Sequence, residues 1–263
     1  MSGLRYVYAV CRPFGTPLPA QLTGVGGVPP KQLVHRGLVA LVGQVPEEDF
    51  AEEPLRAHLE DLDWLGATAR AHQNVIDALT VVTSPLPLRL ATVFRDDSGV
   101  RTMLEEREET FLRTLDRLDG RVEWGVKVYS EPTDADGTPE TSPGTGARPA
   151  SAPGKAASGR DYLRQRRNQR RESEEKWERA EQFASRLHES LSGYAEDTRT
   201  HAPQNAVLSR APGRNILNAA YLVPRTESEA FVELVDRTKD DAPGLRVELT
   251  GPWAAYSFSG EDA

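Results

Sequence analysis

The sequence predicts an α+β protein of two domains, 1–119 and 120–263. The second is expected to be a modified ferredoxin-like βαββαβ unit with a long charged crossover helix. Three observations carry this expectation. Segment 120–129 alternates strictly, with Val122, Trp124, Val126 and Val128 on one parity and Glu123, Gly125, Lys127 and Tyr129 on the other; that is the period of a half-buried strand. Residues 130–159 consist almost wholly of Pro, Gly, Ala, Ser, Thr and a few charges. Such a segment buries too little apolar surface to offset its ordering entropy, so it reads as a disordered insertion within the second domain. From 120 onward the order is strand, helix, strand, strand, helix, strand, the split βαβ pattern.

The first domain begins with a strand over 4–10, where Leu4, Tyr6, Tyr8 and Val10 oppose Arg5, Val7 and Ala9. A Gly/Pro-rich loop follows, and the apolar run 37–43 reads as a central strand ended by Pro46. Segment 54–80 predicts a helix, with Leu55, Leu59, Leu62, Leu65, Ala69, Ile76 and Leu79 at three- and four-residue spacing. Ser84-Pro85-Leu86-Pro87 breaks it, and 88–94 alternates as a strand. A helix over 100–118 stops at Gly120.

In the second domain a charged helix spans 161–192. Trp177, Ala180, Ala184, Leu187 and Leu191 form a seam over its second half. Extended backwards, the seam meets Ser173, Arg170 and Arg166, so the first half is polar nearly all round and projects into solvent or meets an acidic partner. Segments 205–210 and 216–223 read as strands joined by a turn at Ala211-Pro212-Gly213-Arg214. Thr226-Glu227-Ser228-Glu229 is a capping box opening a helix with Phe231, Leu234 and Val235 inward. A strand over 245–249 precedes the ending Gly251-Pro252-Trp253-Ala254-Ala255-Tyr256-Ser257-Phe258.

No motif for catalysis stands out. There is no GxxxxGK[ST] phosphate loop, no HExxH and no GxSxG; Gly24-Val25-Gly26-Gly27 has the wrong spacing and setting for a dinucleotide site. His58 and His72 fall on the stripe of one expected helix, about 20 Å apart at 1.5 Å per residue, too far to share a metal. Both read as core-edge residues bonded to backbone. The single cysteine, Cys11, reads as packing and excludes an internal disulfide. The acidic groups Glu47-Glu48-Asp49, Asp61/Asp63, Asp96-Asp97 and Asp240-Asp241 lack EF-hand spacing and read as solvation. No cofactor or metal site is expected.

A net charge of −8 and pI ≈ 5.3 argue against general affinity for nucleic acid or anionic membranes. The later strands carry no RNA-recognition consensus. No signal peptide is evident, and no apolar run approaches the roughly 18–20 residues that span a bilayer, so a soluble intracellular protein is expected. The sharpest charged feature is Arg164, Arg166, Arg167, Arg170 and Arg171, followed by Glu172, Glu174, Glu175, Glu178 and Glu181. It reads as a self-paired solvated face, as a docking surface for an acidic partner or, least favoured, as a nucleic-acid contact, with Arg164, Arg167, Arg170 and Arg171 as the candidate partner contacts.

Several blocks carry a family resemblance. They are Arg5-Tyr6-Val7-Tyr8-Ala9-Val10, Ala71-His72-Gln73-Asn74-Val75-Ile76 and Leu86-Pro87-Leu88-Arg89-Leu90-Ala91-Thr92-Val93-Phe94. Leu118-Asp119-Gly120 leads into Arg121-Val122-Glu123-Trp124-Gly125-Val126-Lys127-Val128-Tyr129; Asp161-Tyr162-Leu163 and Gly251-Pro252-Trp253 with Tyr256-Ser257-Phe258 complete the set. In this order and spacing the chain resembles the gas-vesicle accessory family GvpF/GvpL over nearly its whole length outside 130–159. Leu90-Ala91 departs from the Phe-Gly frequent in that family, and Ala254-Ala255 from its prolines.

The resemblance implies a non-enzymatic protein with two α+β domains, cytoplasmic and vesicle-associated. It implies that the chain binds the hydrophobic shell protein GvpA and other accessory Gvp proteins. Two other classes stay open: a small-molecule-sensing regulatory protein built on a ferredoxin-like unit, and an enzyme whose cleft only coordinates would reveal.

Overall fold

The structure, a computed structural model, describes residues 3–130, 159–203, 213–239 and 243–260. It is α+β, with two antiparallel sheets and helices. The expected insertion and the expected strand at 205–210 lie outside the described residues. Ser130 and Gly159, read as the insertion's ends, belong to a strand and a helix.

The first sheet contains β1 (Leu4–Cys11), β2 (Lys31–His35), β3 (Leu38–Val45), β4 (Leu86–Pro87) and β5 (Val93–Phe94). Its order is β2-β3-β1-β4, with β5 also on β1. β2 was not legible in the Gly/Pro-rich loop, because only Leu33 of its five residues is buried. Arg36 (φ 47°) and Gly37 (φ 74°) turn it tightly onto β3. Both central residues have positive φ, as in the two-residue turn whose twist matches the strands.

A register shift between Val7 and Ala9 also changes the faces of β1. Strict alternation put Tyr6, Tyr8 and Val10 together. The bulge instead leaves Tyr6, Tyr8 and Ala9 in one core cluster and Val7 and Val10 in another.

Of the expected strand over 88–94 only Val93–Phe94 is a strand; the other short ladder, Leu86–Pro87, falls in the expected break, and a loop joins the two. Within it Thr92 N–H donates to Arg89 O (3.3 Å) and Ala91 is left-handed at φ 64°. That conformation explains why glycine is favoured at this point in the family resemblance. Ala91→Gly should remove strain of about 1–2 kcal/mol at the cost of a more flexible unfolded chain. The expected net gain is about 0.5–1 kcal/mol, read from urea unfolding midpoints.

The expected helix over 54–80 is interrupted. It comprises α2 (Glu52–His58) and α3 (Leu62–Val82), preceded by the short α1 (Glu47–Phe50). Asp61 makes the break, because its carboxylate accepts from the N–H groups of Asp63 (2.9 Å) and Trp64 (3.2 Å) as an N-cap. The expected helix over 100–118 likewise divides at Arg107 into α4 (Asp97–Glu106) and α5 (Glu108–Leu118). Asp96 caps α4 through Gly99 N–H (3.0 Å), and Asp97 pairs with Arg5 (2.6 Å). Three carboxylates read as solvation are thus two caps and an ion pair.

The second sheet holds β6 (Arg121–Ser130), β7 (Asp197–Thr200), β8 (Arg214–Pro224) and β9 (Leu245–Trp253) in the order β7-β8-β6-β9. Its helices are α6 (Gly159–Ser192) and α7 (Ser228–Lys239). α7 starts at Ser228, after a 3-10 turn over Arg225–Glu227, rather than directly after Thr226. β7 was missed because Asp197-Thr198-Arg199-Thr200 carries no apolar side chain.

Burial assigns the layers. Tyr6, Tyr8, Leu41 and Val45 pack with Val75, Ile76 and Leu79 of α3. Val7, Val10, Leu38 and Ala40 pack with Val100 and Leu104 of α4 and Phe111, Leu115 and Leu118 of α5. Ala220 and Leu222 of β8 join that same cluster, so α4 and α5 lie between the two sheets. The other face of the second sheet buries Val122, Trp124, Val126, Val128, Tyr221 and Val223 against Leu187 and Leu191 of α6 and Phe231 and Val235 of α7.

Candidate partner-docking surface and C-terminal clasp

The two halves of α6 differ as their sequences do. Ala180, Ala184, Leu187 and Leu191 are buried, whereas residues 164–168 and 170–176 are exposed. Trp177 marks the transition. Its indole N–H donates to Glu181 (2.6 Å), and the Arg214 guanidinium at the start of β8 lies 4.0 Å from its ring centroid. Lower on the helix, the His188 ring bonds the Tyr221 hydroxyl through Nδ1 at 2.7 Å. These contacts tie the second half of the helix to β8.

Arg164, Arg167, Arg170 and Arg171 all lie on the exposed half. Arg170 pairs with Glu174 at 3.0 Å and Arg171 with Glu175 at 2.9 Å, each four residues apart. Exposed pairs of this kind contribute about 0.3–0.5 kcal/mol each. At 100° per residue, Arg164, Arg167 and Arg171 share one outward stripe with Glu175 and Glu178, and Arg170 sits on its flank. A shallow depression on the same helix is lined by Glu178, Glu181, Gln182, Ser185 and Arg186.

A second constellation was not legible. Glu123, on the polar parity of β6, is only 9% exposed. Its carboxylate accepts from the backbone N–H and the hydroxyl of Ser257, both at 2.7 Å. Burial raises its pKa, opposed by the Ser257 bonds and by the His201 and Arg199 charges. The native carboxyl therefore takes up a proton at higher pH than the unfolded one. Stability from this group is present on the acid side and falls as pH rises through the raised pKa. Glu123→Gln keeps one acceptor and gains a donor toward Ser257 Oγ. It should flatten that part of the stability–pH curve, measured by urea unfolding across the window above the ordinary glutamate pKa.

The residues around Ser257 close over both cores. Ala254 enters the Tyr6–Tyr8 cluster, whereas Ala255 and Phe258 enter the Val7–Phe111 cluster. Tyr256 donates to Gln73 of α3 at 3.2 Å. This segment is a clasp between the layers. The two sequence blocks most specific to the family resemblance, 121–129 and 251–258, meet here, and Glu123 faces Trp253 in the ladder.

His72 lies beside the clasp and is 3% exposed. Ala91 N–H donates to the Tyr6 oxygen (3.1 Å), so the Tyr6 hydroxyl is free to donate to His72 Nδ1 (2.9 Å). The partner is a side chain, where the sequence suggested backbone, and Nε2 is buried with no hydrogen-bond partner among the described residues. Burial lowers the His72 pKa to about 4, keeping the ring neutral at pH 7. His58 sits apart on α2, stacked on Trp64 at 4.7 Å. Cys11 is buried with its thiol pushed up to about 12 and its sulfur 3.7 Å from Val39 O, as a packing residue should be.

Among the described residues no group of three potential metal ligands occurs, and no helix is long and apolar enough to cross a membrane.

The family model described as "Gas vesicle synthesis protein GvpL/GvpF" matches residues 4–260. Gas vesicle protein L of Streptomyces sp. (strain CB03234) is 58% identical over 257 residues, covering 98% of this chain and 93% of that protein. Gas vesicle protein F of the same strain is 30% identical, covering 96% and 98%. The crystal structure of GvpF from Anabaena sp. PCC7120 superimposes with a TM-score of 0.68 at 18% identity, covering 100% of this chain and 98% of that one. GvpF from Microcystis aeruginosa gives 0.64 at 18% identity, covering 99% and 100%. The shared fold of those crystal structures, the match over nearly every residue and the 58% identity lead to one assignment: the chain belongs to the gas vesicle synthesis protein GvpL/GvpF family.

Proposed function

We propose that the chain is an L-type accessory protein of gas vesicle assembly. In this reading it works in the cytoplasm and at the vesicle, without catalysis, binding the shell protein GvpA and other accessory Gvp proteins. The observation that carries this reading is the family match over residues 4–260. The higher identity to protein L than to protein F of one strain supports the L-type assignment.

The physical task is containment. A shell protein with large apolar surfaces aggregates before it is built in. A binder of opposite character can cover such surfaces, or pair with an exposed strand edge. Two terminal strands, β2 and β9, offer edges of this kind. β2 carries Val34, 61% exposed, and β9 ends in the exposed Trp253. Arg164, Arg167, Arg170 and Arg171 supply a second contact surface, for an acidic partner.

We also infer a domain boundary at Gly120 and a ferredoxin-like unit after it. Support comes from the order β7-β8-β6-β9 and from α6 and α7 packed on one face of that sheet. Co-expression with GvpA tests the functional reading. The soluble fraction of GvpA should rise, and vesicle yield should fall when this chain is deleted. Unchanged solubility and unchanged yield would sink the proposal.

A further inference from the structure

The exposed stripe of α6 is ordered by charge in a way that suits a twin. Along it run Arg164, Arg167 and Arg171, then Glu175, Glu178 and, on its margin, Glu181. The basic block ends where the acidic block begins, between residues 171 and 175. A second helix of the same sequence, laid antiparallel across this point, sets Arg171 against Glu175, Arg167 against Glu178 and Arg164 against Glu181. The two-fold axis then falls near residue 173, and every pair recurs on its other side. Such an interface is isologous, because one patch is complementary to itself. A parallel arrangement would set arginine on arginine.

We propose that the charged half of α6 is a self-association surface, and that its occupant is a second copy of this chain held antiparallel. This rests on reading α6 as a docking surface and deepens it by naming the partner. Three further observations favour it. The stripe faces directly away from Ala180, Ala184, Leu187 and Leu191, so packing on the sheet leaves it open to a partner. The Arg171–Glu175 pair within each helix lies at the expected axis, where the pairs of two antiparallel copies can exchange partners. Trp177, held by Arg214 and Glu181, anchors the helix to β8 on the side away from the stripe.

The contacts are charged and exposed, so the dimer is weak and sensitive to salt. That places it in the range of concentration-driven assembly, where copies gathered on one growing surface meet and dilute copies do not.

Charge exchange tests the idea. One full-length variant carries Arg167→Glu with Arg171→Glu, and another carries Glu175→Arg with Glu178→Arg. Sedimentation equilibrium at low salt should show the unaltered protein dimerising, with a dissociation constant rising at least about tenfold at high salt. Each variant alone should stay monomeric, while an equimolar mixture should form a heterodimer at least as tight as the original. The mixture distinguishes lost complementarity from lost folding, because a misfolded variant would not rescue its counterpart. An unaltered protein that remains monomeric at high concentration in low salt overturns the proposal, as does a mixture without heterodimer. Pull-down of acidic Gvp proteins by the same variants reads the docking role separately. Loss there without self-association leaves α6 a docking surface for another chain.

Discussion

Trp124→Ala is expected to destabilise the fold by about 3–5 kcal/mol in equilibrium urea unfolding. The indole lies at the centre of the second sheet's helical face, in the cluster with Val122, Val126, Tyr221 and Phe231. It is 8% exposed and stacks on Phe231 with ring centroids 6.3 Å apart. Its N–H donates to Ser228 Oγ at 3.2 Å, at the first residue of α7. Truncation therefore opens a cavity against α7 and leaves the Ser228 hydroxyl without this donor. A near-neutral result would mean that this face is not core, and would favour reading it as a partner surface.

Gly251→Ala is the second large effect. Gly251 has φ +123°, and an added Cβ would sit 2.8 Å from Glu123 O and 3.1 Å from the Trp124 ring. Neither neighbour can yield easily, since one is backbone in the central strand and the other is the buried indole. Strain and overpacking together should cost about 2–4 kcal/mol in the same unfolding measurement. Gly120→Ala is the control. Its φ is also positive (+68°), but no described residue lies within 4 Å of the added carbon, so it should lose only about 1–2 kcal/mol. Equal losses at the two positions would show that the close approach to β6 contributes nothing.

What the sequence could and could not reveal follows from the range of each interaction. Period-2 alternation located β6 and its buried parity, because one face of that strand meets helices along its length. The seam from Ala180 to Leu191 was legible for the same reason. Elsewhere a single residue overrides the pattern. Asp61 ends a helix that apolar spacing would continue, and the bulge at Tyr8 swaps the faces of β1 while every residue of β1 after Arg5 is buried. Strands without apolar residues, such as β7, gave no signal at all. The exposed arginines of α6 were found because a charge run is local. Glu123 was missed because its partner Ser257 lies 134 positions away, and an alternating strand offers no reason to suspect a buried carboxylate on its polar side.

The clasp has a consequence for how the chain reaches its native state during synthesis. Tyr6 and Tyr8 leave the ribosome well before Ala254, which shares their cluster. The Tyr256–Gln73 hydrogen bond spans 183 positions. Contacts of such sequence separation slow folding, because a long loop must close before any of them form. The first sheet can assemble its ladders before residues 254–258 are made, but one flank stays uncovered until they are. During that interval the nascent chain presents to its surroundings the apolar surface that, in its finished form, it keeps hidden.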